Sequence, residues 1–202
     1  MRGLSRAELL ARGVKGGVVL VAGGTVLATA SPVFAGTDQG SGPPEEDLAI
    51  VRLAASAELL AQAFYTKAIA SHKIAKPDRG YFTAAFANER DHYAALANVL
   101  GNGAPIADDF QFVFGSNSFS SEAAIAKLGV ALETAFVGAY LGAVSALQTA
   151  DLRAVAAQIA ASEAMHLSVL SDIHNGSPVG RAFPAALAVE QASDALDPYL
   201  GE

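Results

Sequence analysis

Two pairs of residues repeat one spacing: Glu89 with His92, and Glu163 with His166, a carboxylate followed three positions later by an imidazole. On an α-helix such residues share a face, with Cβ atoms about 5–6 Å apart. Each pair can therefore close on one metal ion. Two further glutamates, Glu58 and Glu133, stand alone inside apolar helical runs, so the chain reads Glu, Glu-x-x-His, Glu, Glu-x-x-His. The same-face neighbours of Glu133 include Gly129, Val130, Phe136 and Val137, and those of Glu163 include Ile159, Ala160, Leu167 and Leu170. Glu58 and Glu89 have similar surroundings, which points four carboxylates into a core. One ionised carboxylate buried without a partner costs several kcal/mol, and four would exceed the whole stability of an ordinary domain. Bound cations are the natural counter-charge. The plainer alternative is a set of protonated acids bonded to the two histidines inside a core pocket.

An internal repeat supports the convergence. Glu58 and Glu133 are 75 positions apart, while Glu89 and Glu163, like His92 and His166, are 74 apart. Tyr65 follows Glu58 by seven positions and Tyr140 follows Glu133 by seven. Two similar helical hairpins related by a pseudo-twofold axis would bring the glutamates and histidines to one centre. Tyr65 and Tyr140 then stand two turns from a ligand, as core tyrosines or as partners that steady a ligand or relay a radical. The other ionisable groups read as ordinary surface. Asp91, beside Asn88 and Asn98, lies on a solvated face, His72 and His174 sit near helix ends, and Glu122 is a helix N-terminal charge.

The elements that must carry these residues follow from the breaks. Acidic Glu45, Glu46 and Asp47 after two prolines start a helix that runs to about Lys73, and Pro77, Asp78 and Gly80 end it. A second helix covers about Phe82 to Leu100 and stops at Gly101-Asn102-Gly103. Residues 102–119 lack a helical period and form a long connection. Ser120, Ser121 and Glu122 open a third helix to about Thr149, and Asp151 opens a fourth that lasts to Asn175. A short amphipathic run, Leu187 to Leu196, should pack on the bundle. Short connections make the first and second helices, and the third and fourth, antiparallel hairpins, and the long one makes the second and third parallel. The predicted architecture is all-α, a four-helix bundle with a long crossover and a C-terminal helical extension. The third helix is apolar enough to be mistaken for a membrane span, but Glu133 and its register with Glu163 assign it to the bundle. Its apolar outer side is a candidate homodimer interface.

Composition narrows the classes. The 202 residues are 52% hydrophobic and 16% charged, with no cysteine, which removes disulfides, Cys-ligated zinc and iron–sulfur centres. Residues 1–35 hold four basic residues and one acidic, so the remainder carries nine basic against nineteen acidic residues. Nucleic acid is excluded as the expected partner of so acidic a chain. Arg2, Arg6, Arg12 and Lys15, an apolar run, and Val33-Phe34-Ala35 before Gly36 have the parts of a signal peptide over residues 1–35. Export is therefore expected, with no stable membrane span after cleavage; retention as an anchor is the alternative. Ser5-Arg6-Ala7-Glu8-Leu9-Leu10 resembles a twin-arginine (Tat) signal with Ala7 in place of the second arginine, which favours Tat over Sec. Residues 36–44 read as a flexible linker, 45–175 as the bundle and 176–202 as the extension.

At the six ligand positions the chain resembles the ferritin-like superfamily, and within it the exported bacterial ferritin-like domain proteins. The resemblance covers roughly residues 45–200. It implies that Glu58 and Glu133 are terminal carboxylates, Glu89 and Glu163 bridging ones, and His92 and His166 the single imidazole on each metal. It also implies two iron ions, or two manganese ions as in catalases of that fold. Hard carboxylates with only two imidazoles favour iron or manganese, although affinity order alone does not exclude copper or zinc. The leading expectation is a di-iron oxidase of the ferroxidase or peroxide-consuming type, with O2 or peroxide and Fe(II) as substrates. A manganese catalase and a non-catalytic metal-binding stress protein are the alternatives.

Overall fold

A computed structural model describes residues 42–201. The signal peptide expected over residues 1–35, and the linker up to residue 41, lie outside the described residues. The described residues form five α-helices: α1 Glu45–Ala70, α2 Arg79–Leu100, α3 Glu122–Ala146, α4 Ala150–Asn175 and α5 Val189–Leu196. α1 pairs with α2 and α3 with α4 as hairpins, and the two hairpins pack into a four-helix bundle. Among the described residues there is no strand. One isolated bridge, Phe112 to Leu200, ties the long α2–α3 connection to the C-terminus.

Local chemistry sets the helix limits. Ser121 accepts a hydrogen bond from the Ala124 N–H at 3.2 Å and caps α3. Gly176, with φ of 68°, closes α4 in the left-handed conformation that glycine adopts without a side-chain clash. α1 stops at Ala70, three residues short of the sequence expectation, because His72 turns to a φ of 57°. α2 starts at Arg79, directly after Pro77 and Asp78, rather than at Phe82.

Two apolar clusters fill the bundle. One holds Phe64, Phe82, Ile125, Phe136 and Leu170; the other holds Val51, Leu96, Leu152, Val155 and Ile159. The level of Glu58, Glu89, Glu133 and Glu163 lies at the junction between them. By length and composition α1 and α3 could each cross a bilayer, yet each carries a buried glutamate into this junction.

The outer strip of α3, offered by the sequence as a dimer interface, is partly covered by the chain itself. The Leu187 N–H donates to the Gly138 carbonyl at 2.9 Å. A Cβ on Gly142 would overlap the Leu187 carbonyl, and one on Gly138 would come within 2.8 Å of the Leu187 side chain. The Gly138/Gly142 spacing is thus the groove in which the C-terminal segment lies. Beyond it, Val113 N–H donates to Tyr199 and Gly201 N–H to Gln111, each at 2.8 Å.

Asp47 does more than start α1. It is fully buried, and its carboxylate accepts from the backbone N–H groups of Gln148 at 2.9 Å and Thr149 at 2.8 Å, holding the α3–α4 turn. Burial pushes its pKa up, but those hydrogen bonds and the Arg153 charge outweigh burial and hold it below the ordinary carboxylate value. Asp47→Ala should cost about 2–3 kcal/mol, the usual worth of hydrogen bonds to a charged group, read from urea unfolding. Because the folded pKa is depressed, this contribution is complete above the unfolded value of about 3.9. It is lost as pH falls through the folded pKa. The parent and variant curves should therefore converge in acid.

Candidate metal centre

Each long helix delivers its part of the pocket: α1 brings Glu58 and Tyr65, α2 Glu89 and His92, α3 Glu133 and Tyr140, and α4 Glu163 and His166. The four glutamates are 0–2% exposed and His166 is 3% exposed, while His92 is partly exposed. His92 Nδ1 lies 3.0 Å from Glu163 Oε1, 3.3 Å from Glu89 Oε2 and 3.5 Å from Glu58 Oε2. His166 Nδ1 lies 2.9 Å from Glu89 Oε1, 3.1 Å from Glu163 Oε2 and 3.8 Å from Glu133 Oε1. The donors fall into two groups, Glu58/Glu89/His92/Glu163 and Glu89/Glu133/Glu163/His166, each with ligand atoms within 4.8 Å of one another. Glu89 and Glu163 belong to both, the place the family resemblance gives to bridging carboxylates.

These residues fit metal ions because their oxygens lack other partners. Glu58 Oε2, Glu89 Oε1, Glu133 Oε2 and Glu163 Oε1 are buried without a hydrogen-bond donor. The nearby imidazoles do not relieve this, although two of these oxygens come within 3.0 Å of an Nδ1. A ring nitrogen carries at most one proton, and each Nδ1 has hydrogen-bond geometry only toward the glutamate of its own helix, His92 to Glu89 and His166 to Glu163. Four carboxylates, two of them shared, with one imidazole per group form a hard donor set suited to iron or manganese.

Without a metal, protons supply the balance. Burial, followed by the charges of Glu163 and Glu89, raises the pKa values of Glu58 and Glu133 well above the carboxylate range. Burial also pushes Glu89 up, but the His166 and His92 imidazoles beside its carboxylate prevail and hold it at about 2. Burial pushes both histidines down, and the surrounding glutamates more than compensate, raising His92 to about 12 and His166 to about 9.

The tyrosines cross between hairpins. Tyr65 on α1 donates to Glu133 on α3 at 2.6 Å, and Tyr140 on α3 donates to Glu58 on α1. This exchange is what a pseudo-twofold axis makes of two equal seven-residue spacings. Burial and the neighbouring carboxylates push both phenols up, so both keep their protons.

Two contributors are absent from the expected site residues. The Tyr81 hydroxyl lies 3.1 Å from that of Tyr65 and donates to the His166 carbonyl at 3.2 Å. Its signal was present, since Tyr81, Ala85, Glu89 and His92 form one helical stripe. Asn88, read as part of a solvated face, instead meets His166 Nε2 through its amide at 3.1 Å. That contact depends on how closely α2 approaches α4, which no spacing within α2 reveals. The amide can present NH2 or, turned over, its carbonyl, so it serves either tautomer of His166. Asp91, His72 and His174 are exposed, as expected. Glu122 reaches across to accept from the Ala75 N–H at 2.7 Å.

A helical bundle whose interior holds four carboxylates and two imidazoles at one level defines a class, the bundles built around a carboxylate metal site. The ferritin-like domain family matches residues 46–176, from the start of α1 to the end of α4, and the chain belongs to that family. No curated protein matches it.

Proposed function

We propose that this chain binds two iron ions between its six ligands and reacts with O2 or peroxide, oxidising Fe(II) or another reductant, after export from the cytoplasm. The observation that carries the reading is the set of four buried carboxylates, each with an oxygen lacking a donor, arranged in two groups that share two members. A bound metal pair would supply two electrons to an oxidant at one place. The protein's part is to hold and enclose. Glu89 and Glu163 would span both ions, Glu58 and His92 would complete one position, and Glu133 and His166 the other. Tyr140 fixes the free rotation of Glu58, Tyr65 that of Glu133, and the two apolar clusters exclude bulk water.

Anaerobic protein should take up two Fe(II) per chain and consume O2 on exposure to air, and Glu133→Ala should abolish that consumption. Unchanged O2 uptake by the variant ends this reading. Peroxide disproportionation by the manganese-loaded protein, with little Fe(II) oxidation, would assign it to the catalase type. Metal-dependent stability without turnover of either oxidant would make it a binding protein.

Metal uptake should also release protons. Ligands bind as carboxylates and neutral imidazoles, whereas Glu58, Glu133, His92 and His166 all have raised pKa values in the metal-free pocket. Binding near neutral pH must therefore expel protons. Calorimetry in buffers of different ionisation enthalpy will count them, and affinity should rise about tenfold per pH unit for each proton released. Binding without proton release contradicts these ligand assignments.

A further inference from the structure

Between α1, α3 and the C-terminal segment lies a cavity of about 40 Å³, walled by Leu53, Ala57, Ala139, Tyr140, Leu187 and other apolar side chains. The one polar group among its lining side chains is the phenol of Tyr140, and that hydroxyl is already engaged, donating to Glu58. A buried water needs about 10–15 Å³ of such space and two to four polar partners. The space is sufficient here, and the side-chain partners are missing. The pocket is not sealed, since Ile50, Ala54, Ala139, Leu187 and Val189 in its wall are partly exposed, but an apolar lining with no free polar side chain favours small apolar guests such as xenon over water.

We propose that this cavity is a holding site for dioxygen, a small apolar gas, with the Tyr140 ring as the wall between it and the carboxylate pocket. The cavity lies on one side of the pseudo-twofold, the side of Tyr140. Behind Tyr65, the counterpart of Tyr140, the rings of Phe64, Phe82 and Tyr81 stand with centroids 4.9, 6.0 and 6.4 Å away. The position 74 residues after Tyr81 is Val155, and the roof over Tyr140 comes from the unrepeated C-terminal segment, through Leu187 and Leu196. A guest there is one side chain from Glu58. Hydrogen peroxide, with donors and lone pairs at both ends, would leave them unpaired in such a lining. Its more polar approach is past His92, whose side chain is 13% exposed against 4% for His166.

The inference rests on the reading that the centre reacts with O2, and xenon separates the two. Full-length protein under xenon pressure should show one xenon atom in the cavity, by anomalous scattering or by xenon NMR. Xenon should compete with O2 in the iron-loaded protein, raising the apparent KM for O2 while the saturating rate holds. Ala54→Leu and Ala139→Leu, two lining positions outside the ligand set, should each displace the xenon, raise that KM several-fold and leave peroxide-driven oxidation unchanged. Absence of xenon, ordered water in its place, or O2 consumption indifferent to xenon overturns the proposal, even if neither variant folds. A parent protein that binds two irons and consumes no O2 overturns the functional reading itself, whatever xenon does.

Discussion

Glu163→Gln should empty both metal positions with a single change. Glu163 is one of two residues common to both donor groups, with Oε1 facing His92 and Oε2 facing His166. Glutamine keeps the shape of the side chain and removes its charge, so each position loses an anionic ligand. Groups that merely orient a metal ligand are worth about 10–100-fold in affinity; loss of the ligand itself should exceed about 100-fold at each position by the same standard. Metal analysis after dialysis should fall from two ions per chain to a trace. Glu58→Gln, which touches one group, should spare the other. If Glu163→Gln retains one ion, Glu163 is not shared and the two groups do not form one centre. The same variant separates the metal reading from the plainer one, in which protonated acids and histidines satisfy each other. Under the metal reading its thermal midpoint no longer responds to added metal. Under the other, parent and variant are alike in ignoring it.

Stripping metal from the parent should lower its thermal midpoint by roughly 10–20 °C. A ligand present at 100 times its dissociation constant stabilises the folded state by about 2.7 kcal/mol per site. In a chain of this size each kcal/mol moves the midpoint by about 2–4 °C, and two sites give the quoted range. The shift should be largest where ligands deprotonate easily. The raised pKa values of Glu58, Glu133, His92 and His166 mean that acidification favours the proton-bound pocket. The gap between metal-loaded and chelator-treated protein should therefore narrow as pH falls and widen as it rises. A gap that is absent at pH 8, or that widens in acid, is inconsistent with metal held by these side chains.

Much of this arrangement was legible because it is periodic. The 3.6-residue repeat placed Glu58, Glu89, Glu133 and Glu163 among apolar neighbours, and equal offsets between hairpins placed them at one level. The Tyr65 and Tyr140 spacings were visible too. Which carboxylate each phenol serves was not, because the exchange between hairpins exists only once they pack. Asn88 escaped for the same reason: it is polar, one residue from Glu89, and indistinguishable in α2 alone from a solvated side chain. Asp47 read as a helix-start charge, and nothing local says that it reaches the backbone of Gln148 and Thr149 about a hundred positions away. Gly138 and Gly142 leave room for a close approach to α3. That the approaching backbone is Leu187 of the same chain depends on where the segment after α4 turns, and that segment has no periodicity of its own. The proposed export rests on the sequence of residues 1–35 alone, and the mature N-terminus of any secreted protein tests it.

The central claim is that four acids and two imidazoles hold a pair of ions. Crystals of iron- or manganese-loaded protein, with anomalous scattering recorded at the metal edge, test it most directly. Two peaks should appear within the pocket, one against Glu58 and His92, the other against Glu133 and His166, with Glu89 and Glu163 touching both. A protein saturated with metal whose anomalous peaks lie elsewhere, or whose pocket holds only water, contradicts the account.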